Sequence, residues 1–412
     1  MAVLVRMRIS SRLRSSFKLA VSLLMAAVAP LAAAQEPPPL DLRSIPISDW
    51  LDAGEHAEIP WSFVVREPIL RVDQRLEIAY TARISGKNLN RTGADHEIFL
   101  VSRVSSPDGE WLNQPEIVRH TAGQLANNVQ LDLVMRVVVK PGEYVLWSVL
   151  YDRKTGRHNV AKRRLRVSEL RGDPLPDLYS RMPLVEFPDY REVSTDSLAF
   201  VNGELYLPIR NKRPLHVELI SMLSPPEQWT GRNRIVRAHN DGTLGALAAL
   251  SQMELMDGSL SITGLDLVRR QVLFEQRNFQ SIEWKSLLQA MKKAQSLDIS
   301  TEALQGAKNN GAFFREILNE RLTTDLPADA MRVVIVVTSS RLFESGADLR
   351  PLQLEGDCNC RIYYLRFRLN VNDVFDQLEK FIKPLRPRIF NLLTARDLRK
   401  AIAEIVTDLG RL

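Results

Sequence analysis

Met331-Arg-Val-Val-Ile-Val-Val-Thr338 leaves this chain fewer options than any other stretch. Between Arg332 and Thr338 its residues are apolar without alternation, so both faces of the extended backbone need cover. A strand of that kind belongs inside a parallel sheet with helices on each side. The surrounding sequence fits such a neighbourhood. Leu215-His-Val-Glu-Leu-Ile-Ser-Met-Leu223 reads as a strand, and Asp241-Gly-Thr243 opens a helix carrying Leu244, Leu247 and Leu250. Asp241 or Thr243 is available to cap that helix. Two antiparallel strands are expected over 259–267 and 271–276, helices over 282–295 and 312–322, a strand over 360–367, and closing helices over 374–382 and 395–409. Residues 196–412 are therefore expected to form a doubly wound, mainly parallel α/β sheet.

Upstream the period changes. Leu70-Arg-Val-Asp-Gln-Arg-Leu-Glu-Ile-Ala-Tyr-Thr81 and Val129-Gln-Leu-Asp-Leu-Val-Met-Arg-Val-Val-Val139 alternate apolar and polar positions, which places one face on a core and the other in water. Pro107-Asp-Gly109, Pro141-Gly142 and Lys154-Thr-Gly156 supply turns between such runs. Residues 59–168 are expected to form an antiparallel β-sandwich. Residues 35–58 read as an extended N-terminal segment, and 169–195 as a linker bearing several prolines. The expected fold class is thus α/β plus all-β.

Arg6, Arg8, Arg12, Arg14 and Lys18 precede an apolar run from Leu19 to Leu31, which ends in Ala32-Ala-Ala34 before Gln35. That layout matches a signal peptide over 1–34 with cleavage after Ala34, and its run falls short of the ~20 residues of a membrane-spanning helix. The expected location is periplasmic or extracellular, without stable membrane insertion after cleavage. The charge follows the same division. The full chain has 55 Lys plus Arg against 49 Asp plus Glu; removing five cations leaves 50 against 49, a net of +1. A nucleic-acid partner is not expected from so even a balance. The densest remaining cluster, Lys162-Arg-Arg-Leu-Arg166, alternates along a strand and reads as a solvated edge.

The order strand, helix, strand hairpin, helix, strand, helix, strand, helix over 196–412 resembles that of von Willebrand factor type A domains. Pro141-Gly-Glu-Tyr144 with Leu146, Leu150 and Asp152 is similar to the penultimate strand of immunoglobulin-like or fibronectin-like domains. Together they resemble the layout of secreted bacterial proteins carrying A-related domains. The resemblance implies a divalent cation held by an Asp-x-Ser-x-Ser loop, a Thr and an Asp at the strand ends. This chain departs from it. Ile220-Ser-Met-Leu-Ser-Pro-Pro226 contains no Asp, and the central strand ends Thr338-Ser-Ser-Arg341. Thr301 is a candidate for the loop threonine, with nothing to secure the alignment. Neutral hydroxyls bind a hydrated divalent cation poorly, so neither metal nor cofactor is expected. Ser221, Ser224, Ser339 and Ser340 remain as a candidate binding rim, with loop capping as their plainer role.

No other motif carries chemistry. His-Glu-x-x-His, a Gly-x-Ser-x-Gly elbow and a Walker loop are absent from the sequence. His216-Val-Glu218 reads as a structural pair, and His239-Asn-Asp241 as a turn with a helix cap. Cys358-Asn-Cys360 is a candidate disulfide in an oxidising compartment. No catalytic residue is assigned. The expected function is a secreted, non-enzymatic binding or scaffold protein with another protein as partner; the alternative is an exported hydrolase whose dispersed site includes His239 and Asp241.

Overall fold

The structure, a computed structural model, describes residues 45–91, 93, 95–189, 200–225, 233–295, 301, 306–343, 347–352, 359–368 and 376–412. The segment expected to be a signal peptide lies outside them, as does Cys358.

A short helix, α1 (Ile47–Ala53), precedes nine strands: β1 (His56–Ala57), β2 (Trp61–Val65), β3 (Ile69–Leu70), β4 (Leu76–Ser85), β5 (His96–Ser105), β6 (Glu116–Ala122), β7 (Gln130–Val139), β8 (Gly142–Asp152) and β9 (His158–Val167). One turn of helix, α2 (Gly86–Asn90), follows β4. The strands form two antiparallel sheets, ordered β1-β9-β8-β5-β6 and β7-β4-β2, with β3 also on β4. Alternation decides which side chains enter the core. Along β7, Leu131, Leu133, Met135 and Val137 are buried, whereas Asp132 points outward and takes a bidentate pair from Arg83 at 2.7 and 2.9 Å. The facing sheet contributes Leu100, Leu146 and Leu150 to the same core, and Ser102 reaches across to the Met135 sulfur at 3.5 Å. The Tyr144 hydroxyl donates to the Lys140 carbonyl at 2.9 Å and so ties β8 to the turn that feeds it.

The proline-bearing segment that follows is anchored. Its strand β10 (Val185–Glu186) pairs with Val138 and Val139 of β7, while Leu178, Tyr179 and Met182 are buried. Beyond it, β11 (Leu207–Ile209) pairs in parallel with β13 (Met253–Leu255). The largest sheet uses β12 (Leu215–Met222), β14 (Gly258–Asp266), β15 (Gln271–Gln276), β16 (Met331–Ser339), β17 (Cys360–Phe367) and β18 (Arg388–Leu392), in the order β15-β14-β12-β16-β17-β18. β15 is antiparallel to β14, and the other neighbours are parallel. The helices are α3 (Asn233–Leu250), α4 (Trp284–Ala294), α5 (Asn310–Thr323), α6 (Leu378–Ile382) and α7 (Ala395–Leu409). Every residue of β16 is buried. Val333, Ile335 and Val337 share a core with residues of α3, α4 and α7, and Val334 and Val336 share one with residues of α5 and α6.

The expected fold class needs correction. As a whole the chain is predominantly β, with 37% of its described residues in strands and 25% in helices. Among the described residues, nine of fourteen strand pairings are antiparallel. A doubly wound, mainly parallel α/β sheet of von Willebrand A-like type does not describe it. The expectation gave too much weight to one apolar run and its helical neighbours. Two- or three-residue strands such as β1, β3, β10 and β11 add to the β content and carry too few residues to show a period.

A buried turn joins the two halves. Arg71, Asp73, Gln74 and Arg75 are each at most 7% exposed. Gln74 has φ 66°, and its Nε2 donates to the Ala395 carbonyl at the start of α7, at 3.1 Å. The Tyr179 hydroxyl donates to the Gln74 carbonyl at 2.9 Å. On α7, Arg399 is 2% exposed; it clamps Asp173 through Nε at 2.9 Å and Nη2 at 2.5 Å, and stacks on the Tyr179 ring at 4.9 Å. Gly245 of α3 is needed for close approach here: a Cβ would lie 2.6 Å from Val72 Cβ. Removing one member of a buried ion pair strands the other. Arg399→Met is therefore expected to cost about 3 kcal/mol in denaturant unfolding, and Asp173→Leu in the same chain to restore part of that loss.

Candidate functional site

The four candidate rim serines gather where β12 and β16 end. All are fully buried, so they do not form an open rim. Ser339, the last residue of β16, lies 2.9 Å from His239 Nδ1, and His239 Nε2 lies 3.1 Å from the Met222 carbonyl at the end of β12. A carbonyl only accepts, so Nε2 carries the proton; Nδ1 then accepts from the Ser339 hydroxyl. Ser224 receives the Leu267 N–H on Oγ at 3.3 Å. The Ser221 and Ser340 hydroxyls, and that of Thr243 one helical turn beyond His239, are buried without a hydrogen-bond partner among the described residues.

His239 reaches Ser339 because α3 begins earlier than expected. Its first described residue is Asn233, so Asp241 and Thr243 sit inside the helix and not at its start. Glycine disfavours helix interiors, and Gly242 therefore reads as a helix start. Its reason is spatial: a Cβ at 242 would come 2.9 Å from the Phe367 ring of β17. Asp241 is half-buried on α3, two residues from His239. It is not among the groups bonded to the His239 ring.

Arg341 is the residue that the sequence reading missed. It is 3% exposed, and its guanidinium donates to the Ser224 carbonyl and, at 3.3 Å, to the Thr338 hydroxyl. Its own N–H goes to Asp376 Oδ1 at 3.0 Å, while Arg366 takes the other Asp376 oxygen at 3.2 Å. A fixed positive charge thus stands among the hydroxyls at the strand ends. Burial, reinforced by the Arg341 charge, pushes His239 down to about 3. The imidazole is neutral at neutral pH.

This donor set does not suit a divalent cation, since hydroxyls beside a guanidinium lack the carboxylates such an ion needs. Nor does it suit catalysis. A serine hydrogen-bonded to an imidazole has the outline of an activated nucleophile, but so weak a base removes a hydroxyl proton inefficiently. Neither group meets solvent. Elsewhere, His216 bonds the Ser259 hydroxyl at 2.9 Å, and Glu218 accepts from Thr263 at 2.6 Å, each bonding across to β14. No group of three or more metal-ligating residues occurs among the described residues. Cys360 opens β17 and is disulfide-bonded, and Cys358 lies outside the described residues.

No family model matches the chain. No curated protein matches it either. Solved structures show faint likeness. The ApaA protein of Bordetella pertussis is 14% identical, with 27% of this chain and 98% of that one covered and a TM-score of 0.17. A family 123 glycoside hydrolase from Clostridium perfringens is 7% identical over 81% and 72%, with a TM-score of 0.25. The pilus adhesin RrgA of Streptococcus pneumoniae is 12% identical over 68% and 42%, with a TM-score of 0.20. Scores this low carry no argument about fold or function.

Two outcomes are expected from the cluster. The unfolded chain binds a proton at His239 near pH 6.5, and the folded chain only near 3. Stability from this residue is therefore complete above 6.5 and falls with acidification, by up to about 1.4 kcal/mol per pH unit. Urea unfolding across pH 7 to 4 should show that slope, and His239→Gln should remove it. Millimolar Mg²⁺ or Mn²⁺ should leave the melting temperature unchanged, because a ligand bound to the native state would raise it.

Proposed function

We propose that the chain is an exported binding or scaffold protein that works by contacting another protein. One observation carries this reading: Ser339 and His239, the pair most like a catalytic unit, are sealed beneath α3 at 0% and 1% exposure. Substrate cannot reach such a pair without displacing the helix. The strand-end cluster then serves to fasten α3, β12 and β16 together. Export rests on the basic, apolar and small-residue order of residues 1–34. No helix among the described residues is long and apolar enough to cross a membrane.

The second reading, a hydrolase, is favoured only by the 2.9 Å contact between Ser339 and His239. The two readings separate by experiment. Purified full-length chain should hydrolyse ester, peptide and glycoside substrates no faster than Ser339→Ala does. Protein recovered from the exported fraction should begin at Gln35. An activity lost in Ser339→Ala, with circular dichroism unchanged, would replace the binding reading by the hydrolase.

A further inference from the structure

The cluster Lys162-Arg-Arg-Leu-Arg166 lies on β9, where alternation splits it between two faces. Leu165 turns into the core, and Arg163 pairs with Glu55 at 2.5 Å. Lys162, Arg164 and Arg166 are exposed on the other face, about 6.7 Å apart along the strand. Lys162 stands opposite Trp147 of β8, which stands opposite Arg103 of β5. A single bridge from Ser105 to Trp111 brings Trp111 to the end of this row.

The side chains interleave. The Lys162 ammonium lies 4.3 Å from the Trp147 ring centre and the Arg103 guanidinium 4.1 Å from that of Trp111; the two indoles are 6.3 Å apart. Cation–π contact holds these cations in place without neutralising them. Among the described residues Lys162, Arg164 and Arg103 have no side-chain ion pair; Arg166 approaches Glu143 at a loose 3.9 Å. The acidic neighbours are few. Glu55 is occupied by Arg163 and the Lys162 backbone, and Asp108 and Glu110 are exposed in the turn before Trp111. α1 lies over the adjoining part of the sheet, where Leu51 packs with Phe99, Val149 and Val160, and the charged row lies outside that apolar cluster.

We infer that this row is a docking surface for an extended acidic segment of a partner protein. The inference rests on the binding reading above and gives the partner a chemistry. Charge complementarity supports it: exposed Lys162, Arg164 and Arg166 recur at the spacing of alternate residues in an extended chain, so alternate carboxylates match them, and Lys162 is already ordered on Trp147. The indoles already carry their own cations, which argues against bases stacking there as they do on single-strand binders.

The test uses the full-length chain with a poly-L-glutamate peptide, read by tryptophan fluorescence and calorimetry at low and moderate salt. Binding is expected, weaker as salt rises. It should weaken about tenfold in Arg103→Gln/Lys162→Gln/Arg164→Gln, since each exposed pair contributes modestly. Arg164→Gln alone, at an exposed position, should weaken it measurably and guards against misfolding of the triple variant. Absence of polyglutamate binding at low salt, or an affinity in both variants equal to that of the unsubstituted chain, would overturn the proposal. So would a single-stranded oligonucleotide or polygalacturonate bound as tightly as polyglutamate. These results leave the hydrolysis test untouched, so the docking surface and the binding reading fail separately.

Discussion

The turn at Arg71–Arg75 is where the structure becomes one object. A buried turn must satisfy its backbone polar groups, and this one recruits residues from distant parts of the chain to do so. Arg71 and Arg75 close it through backbone contact at 2.9 Å, Tyr179 caps the Gln74 carbonyl, and the Gln74 side chain reaches the first turn of α7. Arg399 then fixes the intervening segment from the other side. That segment bears prolines, yet it pairs with β7 and binds α7 through Asp173. A freely hinged connection would open the buried Arg71, Asp73 and Glu77 charges to water. The observed packing gives Arg71 two carboxylates, Asp73 and Glu77.

The same logic governs the strand ends of the largest sheet. Parallel strands deliver their carboxyl termini to one edge, which makes that edge the usual place for a ligand. Here the edge is filled from within: α3 lays His239 on Ser339, and Arg341 folds back to the Ser224 carbonyl. A permanent cation stands there, and it also keeps the imidazole from acquiring a second charge. The position is thereby committed to holding the sheet and helix together.

Legibility followed the range of the physical signal. The burial of Leu131, Leu133, Met135 and Val137 is written in a period of two, and the complete burial of β16 in an unbroken apolar run. Both signals are local. The start of α3 was not legible, because Gly242 looks like punctuation until Phe367 is seen against it. Arg399 with Asp173 joins residues 226 apart, and no local pattern marks either partner. The fold class was misjudged for a related reason. Strands of two or three residues, such as β1, β3, β10 and β11, are too short to show a period, although they extend the antiparallel and mixed pairing of the chain.

The cationic row shows how a motif changes meaning once its neighbours are known. Alternation along 162–166 correctly puts Lys162, Arg164 and Arg166 in solvent, and a solvated edge is a sufficient reading while only β9 is considered. Among the described residues β1 pairs β9 only at Asn159 and Val160, so 162–166 runs along the sheet's edge with β8 on its one paired side. Trp147 arrives by register from β8, and Trp111 through one bridge across a loop. A side chain that serves only solubility has no need of an aromatic ring to order it, since mobility costs a solvated lysine nothing. Ordering two cations on two indoles reduces the conformational entropy that an incoming anion would otherwise have to remove. On the proposed binding reading, preorganised charge on the all-β half, set against charge buried and internally matched at the strand ends, would place recognition there and leave the mixed sheet as its support.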